Sequence, residues 1–129
     1  MAKDIDDRLQ DLQDRRDGRT GETGGEVMRV PVNIYEAGEA LVVVAPLPGV
    51  MPDDITVAVE GDELRIAAAM RSPAPKEYLT HEWHCGPFER TVELPEGFGG
   101  GGMATLGNGQ LAIRLMRGTG GGPVPVKPA

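Results

Sequence analysis

The 129-residue chain has one cysteine, Cys85, and five aromatic residues: Tyr35, Tyr78, Trp83, Phe88 and Phe98. A single cysteine excludes an internal disulfide framework. So few rings leave a core built mainly of Val, Leu, Ile and Ala. Basic residues are also scarce, with 13 Lys and Arg against 20 Asp and Glu and a net charge of −7. No run of Lys and Arg is present to neutralise phosphates, which argues against a nucleic-acid partner. The basic face of a helix lying on an anionic membrane is missing too. The longest apolar run, Leu41 to Met51, is broken by Pro46, Pro48 and Gly49. It falls well short of the about 20 residues that span a bilayer as a helix. The first residues, Met1-Ala2-Lys3-Asp4, open into polar sequence without a signal-peptide pattern. The expectation is a soluble, cytoplasmic protein that binds neither nucleic acid nor membrane.

Glycine and proline are plentiful, at 19 and 11 residues. The length suits one domain, and composition divides the chain into three zones. Residues 1–25 are polar, with seven acids and five bases. Ile5, Leu9 and Leu12 form one thin helical stripe there, too narrow to anchor a helix firmly. This arm reads as partly helical or disordered, or as a helix that pairs with a partner. Residues 118–129 are mostly Gly and Pro and read as a flexible tail.

Residues 26–117 carry period-2 patterning. Val30, Val32 and Ile34 alternate with other residues, as do Ile55, Val57 and Val59, then Leu64, Ile66 and Ala68, and finally Leu111, Ile113 and Leu115. Leu41 to Ala45 is continuously apolar, as a strand covered on both faces would be. Asn108-Gly109 between apolar runs is a strong hairpin signal, because both residues tolerate positive φ. Gly61-Asp62 sits similarly between two strands. Short strands without intervening helices predict an all-β, antiparallel sandwich.

Catalytic and metal chemistry find little support. His81 and His84 are three apart and diverge on a strand. His81 and Cys85 are separated by about 13 Å along extended chain, too far for one zinc ion. Cys85 has no readable base or oxyanion partner; its role, including a disulfide between subunits, is left open. Gly99 to Gly102 lacks the Lys-Ser or Lys-Thr of a phosphate-binding loop and reads as flexible. Asp53-Asp54 is explained as turn chemistry. No enzyme, cofactor or metal is expected. In the tail, Val124 and Val126 flank Pro125 and point the same way in extended chain, like two pegs. That arrangement suits docking onto a sheet edge or groove, or is a tail without a role.

The ordered set of motifs resembles the α-crystallin domain of the small heat shock proteins. It consists of Pro31-Val32-Asn33-Ile34-Tyr35-Glu36, Leu41 to Ala45 with Leu47-Pro48-Gly49-Val50, Pro52-Asp53-Asp54-Ile55, Val59 to Leu64, Gly86-Pro87-Phe88-Glu89-Arg90, Leu94-Pro95-Glu96 and Ala104 to Ile113. Val124-Pro125-Val126 resembles the family's C-terminal anchoring motif. The resemblance implies an immunoglobulin-like sandwich of about seven or eight strands. It also implies an ATP-independent holdase that binds unfolding client proteins, with a dimer as building block or a larger oligomer made from it. A groove lined by Ile55, Val57, Val59, Ala104 and Leu106 would receive Val124 and Val126. Tyr78, Leu79 and Glu82 would lie in a strand that swaps into the neighbouring subunit, and Arg90 at the dimer interface. Residues 1–25 depart from the family in having no aromatic, and Gly101 and Gly102 in standing where apolar residues usually line the groove. The alternatives are a structural or adaptor protein on the same fold with one dedicated partner and a co-chaperone of the related CS-domain kind.

Overall fold

A computed structural model describes residues 27–71, 76–83 and 86–129. The expected arm, residues 1–25, lies outside them, as do His84 and Cys85. The described residues contain ten strands: β1 (Met28–Arg29), β2 (Asn33–Ala37), β3 (Ala40–Pro46), β4 (Ile55–Glu60), β5 (Glu63–Ala68), β6 (Phe88–Glu93), β7 (Gly102–Gly107), β8 (Gln110–Met116), β9 (Gly122–Val124) and β10 (Val126–Pro128). One 3-10 turn, Pro52–Asp54, precedes β4. The strands form two five-stranded sheets, ordered β1-β6-β5-β4-β9 and β10-β7-β8-β3-β2.

The two sheets pack as an immunoglobulin-like sandwich, and alternation along each strand explains which side chains fill it. Ile55, Val57 and Val59 of β4 and Leu64, Ile66 and Ala68 of β5 share the core with Leu41, Val43 and Ala45 of β3 and Leu111, Ile113 and Leu115 of β8. Phe98 is the one fully buried aromatic in that cluster. β3 is apolar on both sides: Val42 is buried as well, in register with Tyr35 and Arg114. The β7–β8 hairpin turns at Asn108 (φ 53°) and Gly109 (φ 75°). Both residues occupy the left-handed region, which matches the twist of a two-residue hairpin.

Three features differ from the sequence-based expectation. The Val30-Val32-Ile34 alternation does not make one strand. Val30 is buried between β1 and β2, whereas Ile34 is 41% exposed on an edge strand. The Gly99–Gly102 tract is not a loose loop: Gly99 and Gly101 are buried and Gly102 opens β7. Residues 118–129, expected to be flexible, carry β9 and β10, which extend the two sheets. β10 and β1 add by parallel pairing, so the sandwich is antiparallel except at these two edge additions. Backbone hydrogen bonding explains the tail's order, because an edge strand offers unpaired N–H and C=O groups that a short segment satisfies without a core of its own.

Leu64 is fully buried in the centre of the sandwich. Leu64→Ala is expected to lower unfolding stability by about 2–5 kcal/mol, read as a shift of the urea midpoint at unchanged slope.

Candidate functional site

The two sheets leave two rims, and they differ. At one rim β4 and β7 would be edge strands were it not for the tail. β9 pairs antiparallel with β4, Val124 opposite Val57 and Gly122 opposite Val59. β10 pairs parallel with β7, Val126 opposite Ala104 and Pro128 opposite Leu106. Pro125 sits between the two short strands, where the tail crosses from one sheet to the other. Its carbonyl accepts from the Ala104 amide at 3.0 Å, and the Leu106 carbonyl accepts from Ala129 at 2.9 Å. Val124 is 4% exposed and belongs to the core; Val126 is half-buried and packs against it.

Ile55, Val57, Val59 and Ala104 are all buried in that cluster, with Leu106 packed at its border. The residues read from the sequence as groove and as anchor therefore meet. Val57 and Val59 lie in register with the tail strand on β4, as do Ala104 and Leu106 on β7. Ile55 is two residues beyond Val57 on the same face and has no tail residue in register. The occupied groove belongs to the same chain that supplies the tail.

The opposite rim is bounded by β1 and β2, which end the two sheet orders and are joined through residues 30–32. Here apolar side chains are left uncovered: Met28, Ile34 and Tyr35 are exposed. In residues 76–83 Leu79 is fully exposed, and Tyr78 and Trp83 are more than half exposed. Tyr78, Leu79 and Glu82 form no strand within this chain, and the Tyr78 ring stacks on His81 at 4.5 Å between centroids. Arg90 stands on β6 beside β1, in register with Ile66. Its side chain shares the inward parity of Val92 and is half-buried. Nη1 donates to the Val30 carbonyl at 2.9 Å, while Nε is buried with no acceptor among the described residues. A buried guanidinium N–H without a partner is costly.

Sequence reasoning missed three contributors. The Val30 carbonyl that takes the Arg90 hydrogen bond carries no side-chain signal. Arg117 lies over the Phe98 ring, 4.5 Å from its centroid, a pairing of two residues far apart in the chain. The glycine tracts 99–102 and 118–122 also meet, and their shared composition is the signal that could have linked them. Among the described residues no group of three or more His, Cys, Asp or Glu could hold a metal ion. No helix in them is long and apolar enough to cross a membrane.

Comparison with known proteins agrees with this fold. Residues 33–121 match the family model described as Hsp20/alpha crystallin family. Spore protein SP21 of Stigmatella aurantiaca is 34% identical over 89 residues, which cover 66% of this chain and 53% of that protein. The chain thus matches about half the length of this curated relative. The crystal structure of hspA from Xanthomonas axonopodis superposes with a TM-score of 0.63 at 29% identity, covering 71% of this chain and 96% of that one. A small heat-shock protein from Xylella fastidiosa gives a TM-score of 0.60 at 26% identity, over 70% of this chain and 87% of its own. The family is one of chaperones rather than enzymes, and its fold supports a chaperone-type role. With the matched segment running from β2 through the return of the chain toward β9, the protein belongs to the Hsp20/alpha crystallin family of small heat shock proteins.

Proposed function

We propose that the protein is an ATP-independent holdase that acts in the cytoplasm, captures unfolding proteins and prevents their aggregation. The observation that carries this reading is the β4–β7 rim, where an extended valine segment is held by main-chain ladders on both sides. Recognition of that kind gets its affinity from backbone hydrogen bonds and asks only for apolar side chains at alternate positions. Unfolding proteins offer extended apolar chain of many sequences, so a sequence-tolerant edge suits that task without a nucleotide or a catalytic pocket.

The second rim supports self-association into a dimer, from which a larger oligomer can be built. β2 is an edge strand, paired only with β3 among the described strands, and it carries exposed Ile34 and Tyr35. Residues Tyr78, Leu79 and Glu82 lie in an exposed segment free to add to the β2 edge of a second copy. Joining them buries Leu79 and Tyr78 and covers the edge, which would otherwise be an aggregation hazard. Arg90 then finds at the interface the acceptor its Nε lacks, best supplied by a carboxylate.

Two measurements test these readings. Light scattering of unrelated, heat-stressed client proteins should be suppressed at near-stoichiometric ratios; capture of a single partner with no effect on the others would replace the holdase reading with an adaptor. Arg90→Ala is expected to raise the dimer dissociation constant by about 10²-fold or more, since removing one member of a buried pair costs about 3–5 kcal/mol. An unchanged constant in sedimentation equilibrium would remove Arg90 from the interface.

A further inference from the structure

The tail reaches the groove through the five residues Arg117–Gly121, which link β8 to β9. Five extended residues span at most about 17 Å, and here none of that length is slack. Gly118 N–H donates to Gly97 O at 3.0 Å, and Gly121 N–H donates to Gly99 O at 2.9 Å. Just before them, Met116 N–H donates to Gly101 O at 2.7 Å, and Met116 O accepts from Gly100 at 3.2 Å. Phe98 and Gly118 add an isolated parallel bridge, with the Arg117 guanidinium over the Phe98 ring. The linker is stitched along the segment that leads into β7.

This stitching requires glycine on both sides. A Cβ on Gly121 would lie 2.6 Å from Gly101 N, and one on Gly100 would lie 2.4 Å from Arg117 O. A Cβ on Gly101 would meet Gly121 Cα at 3.1 Å. Gly120 and Gly122 also turn the chain at φ 74° and 64°, a region that L side chains rarely adopt. The two glycine tracts thus form a backbone-on-backbone seam, and the seam aims Val124 and Val126 at the groove of their own subunit.

We propose that this seam is a latch: it holds the tail in cis, so that each subunit caps its own β4–β7 groove. Proximity favours the arrangement. A segment on a short linker competes at an effective concentration of about 1 mM, roughly 10³ times that of a neighbour's tail at about 1 μM subunit. A latched chain does not use its tail to recruit neighbours, and its assembly proceeds through the β1–β2 rim. Release of the seam frees both valines together, and with them the apolar groove. The latch stands whether or not the freed groove takes clients.

The test uses one covalent reporter and one variant. Thr105 and Lys127 are register partners in the β7–β10 ladder, and both are exposed. Adjacent strand positions lie within disulfide reach. The full chain carrying Cys85→Ser, Thr105→Cys and Lys127→Cys is oxidised and run on a non-reducing denaturing gel, with intact mass measured alongside. The expected product is a single-chain species two hydrogens lighter than its reduced form. Covalent dimers and ladders would show a tail docked on a neighbour, and free thiols throughout would show an undocked tail; either overturns the latch. In the second arm Gly121→Ala breaks the seam in the otherwise native chain. Hydrogen exchange should then quicken by at least about 10-fold at the Ala104 and Ala129 amides while those of β3 keep their protection. Unchanged exchange at Ala104 and Ala129 would overturn the role of the seam.

Discussion

The molecule depends on two sheets of small aliphatic side chains approaching closely enough to exclude water. Phe98 is the only fully buried ring among the described residues, so the core cannot be filled from a few large residues. It is filled instead by alternating Val, Leu, Ile and Ala from β3, β4, β5 and β8, each burying modest area at about 25 cal/mol per Å². Such a sandwich is well closed at its centre and weakest at its rims, where edge strands carry unpaired backbone groups and the core comes near the surface.

The two rims meet that weakness by different chemistry. One is closed within the chain. The tail adds a strand to each sheet and sends Val124 into the core, and the glycine seam lets its backbone approach without a side chain in the way. Closure there is specified mainly by main-chain hydrogen bonds. The other rim is left open among the described residues, with exposed Met28, Ile34 and Tyr35 and with a buried Arg90 N–H that has no acceptor there. Closure there needs side-chain partners that the described residues do not provide. The division leaves one rim capped by main-chain pairing and the other with apolar side chains exposed to solvent.

Much of this was legible in the residues. The alternating runs of β4, β5 and β8 identified their inward faces, and Asn108-Gly109 marked the hairpin between β7 and β8. The Val-Pro-Val segment reads equally as two docking pegs or as a tail without a role, and only its resemblance to a family motif favours docking. Other readings failed for a common reason. Val30 and Ile34 look equivalent in an alternating run, yet one lies in the core and the other on an uncovered edge. The glycine tracts look flexible one at a time and become ordered only against each other. In each case the deciding partner is remote in sequence.

Local pattern by itself determined that this protein is an all-β sandwich with an aliphatic core, and that its tail sets two valines on one side of an extended segment. Those properties follow from period-2 alternation, turn chemistry and composition, which act over a few neighbouring residues. Tertiary structure decided where the anchor lands, which rim stays open and what the glycines are for. These depend on which strands end each sheet and how near two distant backbone segments can approach. At Gly121 and Gly101 that approach is so close that a single Cβ would prevent it.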